Sequence, residues 1–401
     1  MSEATVLSRP QRSMTLFTQG FRPFFLAAGL WAAFALSLWI VMLDTGMRLP
    51  SRFAPLSWHI HEMLFGFVMA AVAGFLLTAI PNWTRRLPVS GLPLAGLAAL
   101  WLLARICCLI SQWLPPWLAV SADLAFPLAL AAVVAREIIA AHDRRNMPVI
   151  MPVIVLGIAN LLMDLEAIHV AVPAGLGWRL GLAAILVLVS VIAGRIVPGF
   201  TRNWLALRHS TSLPAKPGAA DRIALGTLHA GLFAWAFFPL LPEAGGLLIL
   251  GAIANLWRLS RWQGAQTLAE PLLIILHIAY GWLCIGALLL GASVLTTSVP
   301  LSAGIHAMTV GAIGTMILAV MTRATRGHTG QPLAADRTTT LLYACVIAAA
   351  IVRVAAAFAS VWTMQLLAIA AGFWVLAFVI FVVRYAPLLC RPRDRAMLRS
   401  R

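Results

Sequence analysis

Long apolar runs, separated by short polar connections that carry arginine, set the pattern of this chain. A bilayer-spanning helix needs about 20 consecutive apolar residues. Twelve runs approach or exceed that length, at 21–43, 59–81, 91–110, 117–140, 147–168, 176–199, 222–241, 244–260, 270–292, 302–322, 338–359 and 362–386. Within each run apolar residues follow one another without strict alternation. This excludes a membrane β-barrel and predicts helices. The expected fold is therefore an all-α polytopic membrane protein of about 12 transmembrane helices. Residues 1–20 are expected as a cytoplasmic tail, 21–386 as one membrane domain and 387–401 as a basic cytoplasmic tail.

Composition agrees with the pattern. Of 401 residues, 62% are hydrophobic and 10% charged, with a mean hydropathy of +0.93, values outside the soluble globular range. The net charge of +16 does not imply nucleic acid, because the arginines sit in the connections. Only Arg48, Arg52 and Arg179 fall on one side of the expected bilayer, and Arg105 and Arg353 lie within spans. All other basic residues share the side of both termini, which the positive-inside rule makes cytoplasmic. The polar start and the long first apolar run predict no cleavable leader. Cys107, Cys108, Cys284, Cys345 and Cys390 lack metal-site spacing and read as packing residues.

A weak internal repeat is visible. Spans 2, 6 and 10 end in Thr84-Arg85, Thr201-Arg202 and Thr322-Arg323, and spans 7 and 11 both open on Asp-Arg. The spacing predicts three four-helix units, 21–140, 147–260 and 270–386.

Polar residues inside spans are costly and point to function. His59 and His61 open span 2 in Trp58-His59-Ile60-His61-Glu62-Met63, and His306 opens span 10. On a regular helix His59 and His61 lie about 200° apart. His59 then shares a small-residue face with Gly66, Ala70 and Gly74, and His61 shares one with Phe65, Val68 and Val72. At least one of the two is expected to bind a metal or heme, the alternative being hydrogen bonding between helices. His229 and His277 are expected about 9 Å inside the cytoplasmic end of their spans, close enough to hold a second metal with Tyr280 nearby. Arg105 and Arg353 lie in the outer halves of spans 3 and 11. Asp123 offers Arg105 an ion-pair partner, whereas span 12 offers Arg353 no acid. Arg323–Gly330, with His328, reads as a turn, and His142, His169 and His209 read as loop residues. No phosphate-binding loop, zinc-protease helix or hydrolase elbow is present.

Several blocks resemble the NnrS family: Phe21-Arg22-Pro23-Phe24-Phe25, Trp58 to Met63 with Gly66, Arg195 to Trp204, Arg261 to Gly264, His277 to Trp282, and His306 to Gly330. The resemblance spans almost the whole chain. It implies a twelve-span bacterial inner-membrane protein containing heme and copper and serving nitric oxide stress and denitrification. Nitric oxide becomes the expected ligand, by binding or by redox turnover like that of a nitric oxide reductase, from an electron donor the sequence does not name. The arrangement is also similar in architecture to the heme–copper oxidase catalytic subunit, whose low-spin heme lies between spans 2 and 10. Span 6 here lacks histidine, against an oxygen-reductase reading. A heme b is thus expected between His306 and either His59 or His61, non-covalent because no Cys-x-x-Cys-His motif is present, with His59 preferred because Gly66 and Ala70 on its face leave room for a porphyrin. Arg353 and Arg105 are the expected propionate partners. The rival reading is a secondary transporter of a metal or metal complex.

Overall fold

The computed structural model describes residues 12–392, and the expected tails 1–20 and 387–401 lie partly outside them. Twelve long helices follow in chain order: α1 Phe21–Thr45, α2 Pro55–Thr84, α3 Leu92–Leu109, α4 Pro116–Ala140, α5 Ile150–Ala167, α6 Leu176–Ala206, α7 Ala219–Phe237, α8 Pro242–Ser260, α9 Pro271–Leu295, α10 Leu301–Thr329, α11 Arg337–Ala356 and α12 Thr363–Cys390. Among the described residues there is no strand. Proline opens α2, α4, α8 and α9, where its missing N–H is not needed and its fixed φ suits the first turn. Left-handed Gly46 and Gly330 close α1 and α10. The 323–330 stretch is helical up to Thr329, not the turn its arginines and glycines suggest.

Ten of the twelve helices are long and apolar enough to cross a membrane, so the chain is a multi-pass membrane protein. The two that fall short are α7 and α8, expected as spans at 222–241 and 244–260. Asp221, Arg222 and His229 on α7, with Glu243, Asn255 and Arg258 on α8, lower their hydropathy. The pair packs side by side between α6 and α9.

The inner helices are α2, α6, α9 and α10, with 72%, 67%, 61% and 67% of their most apolar stretch buried, against 28% for α12. Outer helices turn Leu102, Trp117, Leu128 and Val383 outward. In water such a surface would drive aggregation; against lipid it is the stable arrangement.

Arg22 explains the Phe21-Arg22-Pro23 block. Its Nη1 donates to the carbonyls of Leu389 at 2.7 Å and Arg391 at 2.9 Å, satisfying acceptors that the end of α12 leaves open. The start of α1 and the end of α12 are tied together at one face, called here the arginine-rich end.

Asp336 ties the same end between α10 and α11. Its Oδ1 accepts from the Thr339 backbone N–H at 2.8 Å, and its Oδ2 accepts from Arg384 at 2.7 Å and Arg326 at 3.3 Å. Burial pushes its carboxyl pKa up, but the Thr339 hydrogen bonds and the Arg384 guanidinium outweigh this and hold it well below the usual carboxylate range. A depressed folded value gives stability that is present at neutral pH and is lost as pH falls below about 4. Asp336→Ala is expected to cost about 1 kcal/mol at neutral pH. The gap from wild type should narrow in acid when thermal unfolding is followed in detergent.

Candidate functional site

α2 and α10 share an irregularity that sequence periodicity does not reveal. Each begins as an α-helix, passes through a π-helical segment and returns to α. The α turn of α2 ends at His61 and the π segment runs Glu62–Val68; in α10 the α turn ends at His306 and the π segment runs Ala307–Gly314. A π segment widens the helix and displaces the residues beyond it, and it recurs at functional sites. Here both lie directly after the candidate ligand histidines.

Between these helices is a cavity of about 610 Å3, within the range of about 300–1,000 Å3 usual for cofactor pockets. His59, His306 and Arg353 line it, in walls that are otherwise mainly Leu, Ile, Val, Phe and Trp. Imidazole Nδ1 of His306 donates to the Ser302 carbonyl at 2.8 Å. That bond fixes the tautomer and leaves Nε2 with a free lone pair. His59 stacks on Trp39 with ring centroids 4.9 Å apart and planes 16° apart. Its Nδ1 is buried without a partner, and neither ring nitrogen has a hydrogen bond within the described residues. Arg353 lines the same cavity with no ion pair among the described residues. An unpaired guanidinium in an apolar cavity is costly. The site therefore offers two imidazoles without protein partners for their lone pairs and one uncompensated positive charge. Those are the donor types that a heme iron and its propionates require.

The register differs from the helical expectation. Met63, Leu64, Phe67 and Val68 line the cavity with His59, whereas Gly66 and Gly74 do not. A Cβ on Gly66 would meet Glu62 Oε2 at 2.9 Å, and one on Gly74 would meet the Phe25 ring at 2.7 Å. The π segment shifts the residues beyond His61 off the face predicted for a regular helix. Gly314 has a matching role in α10: a Cβ there would lie 2.5 Å from the Trp374 ring, which lines the cavity. Gly314→Ala is expected to displace Trp374 and to lower ligand occupancy of the cavity. Absorption of the loaded protein and tryptophan fluorescence would register the change.

His61 points elsewhere. Its Nδ1 faces Glu62 Oε1 at 3.1 Å, and its Nε2 faces Asp123 Oδ2 at 3.0 Å and Asn160 Oδ1 at 2.8 Å. Arg105 bridges the two acids, donating to Glu62 Oε1 at 2.8 Å and to Asp123 Oδ1. Asn160 Nδ2 donates to Asp123 Oδ2 at 2.8 Å, which fixes the orientation of its amide. All five side chains are buried. Arg105 therefore meets Asp123 and Glu62, not the cavity, and is not positioned with Arg353. Asp164 also reaches the cluster: His61, Asp123 and Asp164, and separately His61, Glu62 and Cys108, offer donor atoms within 4.8 Å of one another. Yet both nitrogens of His61 already face oxygen acceptors and offer no lone pair to a metal. The arrangement is a closed ion-pair network linking α2 to α3, α4 and α5. Asn160 was not singled out by sequence, although it shares a helical face with Asp164 four residues on.

The inner histidines do not converge. His229 Nε2 bonds Ser190 Oγ at 2.7 Å, and His277 Nε2 bonds Thr201 Oγ1 at 2.9 Å. Both hydroxyls are on α6, eleven residues apart, which is about 16 Å along the axis at 1.5 Å per residue. Counting residues from the ends of spans 7 and 9 suggests equal depth, whereas His229 lies ten residues after the start of α7 and His277 six after the start of α9. Tyr280 joins a different group: its hydroxyl donates to Asn255 Oδ1 at 2.6 Å and accepts from Arg258 at 2.7 Å. His142, His169 and His209 lie just past helix ends with left-handed φ. Cys107, Cys108, Cys284 and Cys345 are buried and Cys390 is exposed, all as free thiols.

No curated protein matches the sequence. The NnrS protein family matches residues 15–393, nearly the whole chain, including α2, α10 and every helix that lines the cavity. This chain belongs to the NnrS protein family.

Proposed function

We propose that the cavity between α2 and α10 holds a non-covalent heme b, with His59 and His306 toward the iron and Arg353 toward the propionates. The protein would use it in the response to nitric oxide during nitrosative stress and denitrification. NnrS family membership supports a membrane protein of the nitric oxide response. The observation that carries the heme assignment is the meeting of His59, His306 and unpaired Arg353 in one mainly apolar cavity. Heme iron with an open or exchangeable position binds nitric oxide directly. The residues of this chain supply the rest. Ser302 fixes the His306 tautomer, Trp39 orients the His59 ring, and the apolar walls exclude water while admitting a small, weakly polar gas. By the arginine distribution both termini face the cytoplasm of a bacterial inner membrane, and the histidine cavity lies toward the other side.

Copper fits less well. His229 and His277 are apart, and the two groups of close donors both depend on His61, whose nitrogens are taken. No step of this reading runs through copper. A transporter of metal ions would need a polar lining for a hydrated ion, and this cavity is mainly apolar. The test is the visible spectrum of the purified full-length chain before and after anaerobic addition of nitric oxide. A Soret band that shifts on addition is expected. A protein without a Soret band that moves metal into vesicles would favour the transporter.

A further inference from the structure

A second cavity, of about 820 Å3, lies at the arginine-rich end between the last turns of α2 and α10, α6 and the connection before α5. Arg85, Arg145, Arg195 and Arg323 line it, with Asp143 as the sole acid in its wall. Other arginines at this end have carboxylate partners: Arg258 and Arg261 share Asp221, Arg326 and Arg384 share Asp336, and Arg86 and Arg136 share Glu137. The four cavity arginines form no ion pair among the described residues. Arg195 reaches only the Asn146 amide oxygen, at 3.2 Å, and Arg323 lies 4.1 Å over the Phe200 ring. Asp143 accepts from the Asn146 amide at 2.7 Å. The wall thus carries net positive charge, four arginines against the single carboxylate of Asp143, with Glu270 acting on Arg323 from outside the lining, in a space far larger than a simple ion needs.

The deeper wall is apolar. Phe25, Phe75, Ile192, Ile196 and Val320 belong both to this cavity and to a narrower cleft lined entirely by apolar side chains. A cationic cavity at the arginine-rich helix ends that adjoins an apolar cleft suits an amphiphile with an anionic head. We infer that this cavity binds the phosphate head group of an acidic phospholipid, with only the first methylenes of an acyl chain against the cleft, whose volume is about 70 Å3. Arginine guanidinium pairs with phosphate oxygens through two parallel N–H donors. The inference does not depend on the heme reading.

The experiment uses the full-length protein in neutral detergent, titrated with phosphatidylglycerol or with phosphatidylcholine and followed by native mass spectrometry. Phosphatidylglycerol is expected to be retained in preference to phosphatidylcholine. Arg195→Gln with Arg323→Gln should weaken it by about 30-fold for two lost arginine–phosphate contacts. Arg208→Gln, which removes a basic residue stacked on Trp204 outside the cavity, should leave retention unchanged. If the double variant does not fold, Arg85→Gln with Arg145→Gln, at two exposed positions, provides the same comparison. Equal retention of the two lipids, or an equal loss with Arg208→Gln, overturns the site. Full displacement by inorganic phosphate overturns the lipid assignment in favour of a soluble anion.

Discussion

His306→Ala is expected to abolish or strongly displace the Soret band of the proposed heme, and His59→Ala is expected to do the same. Removing an outer partner of a metal ligand alone costs about 10–100-fold in affinity, so loss of an iron-facing imidazole should exceed about 100-fold. The two histidines line one cavity from helices on opposite sides of it, and neither replacement opens a packed core, because both side chains are half-buried. His61→Gln is the informative contrast. His61 lies one helical turn fragment from His59 in sequence but faces Asp123, Asn160 and Glu62. The folded fraction of that variant should keep its heme spectrum. Loss of the Soret band in His61→Gln with retention in His59→Ala would reverse the assignment.

Arg105→Met prevents stable folding or lowers stability by about 3–5 kcal/mol, the cost of leaving buried charges without a partner. Glu62 and Asp123 are both fully buried, and Arg105 is the permanent cation they share, beside the imidazole of His61. Against a typical total of about 5–15 kcal/mol, this is a large fraction. Combining Arg105→Met with Glu62→Gln and Asp123→Asn removes the unpaired charges and should recover much of the loss. Thermal unfolding and the yield of monodisperse protein in detergent measure both effects. Arg105→Met protein as stable as wild type would show that the cluster is not an interdependent network.

The membrane architecture was legible because apolar runs of span length leave few alternatives. The residues that meet in the cavity were legible in part. His59, His306 and Arg353 each violate the apolar pattern of their spans, and an ionisable group in lipid requires a reason. The face on which each neighbour lies was not legible. A regular period of 3.6 puts Gly66, Ala70 and Gly74 beside His59, but the π segment at Glu62–Val68 changes the register. Nothing in the run Glu62-Met63-Leu64-Phe65-Gly66 announces that segment; it follows from packing, with Gly66 against Trp31 and the Trp101 indole donating to the Gly66 carbonyl at 2.9 Å. The sequence favours His59 over His61 by the small-residue face, but the contacts that separate the two were hidden. They depend on Asn160 and Asp123, which come from other helices and surround His61. His229 and His277 show the opposite error: equal distances from span ends suggested a shared site, whereas their partners Ser190 and Thr201 lie far apart along α6.

The central claim is that this chain carries a heme between α2 and α10. Its most direct measurement is the heme content of full-length protein, expressed with ample heme and purified in detergent, by acid extraction and pyridine hemochrome spectrum. Extractable heme b at one equivalent per chain is expected, lost when His59 and His306 are both replaced by alanine. Wild-type protein with no heme, or a double variant that retains the full equivalent, would contradict it.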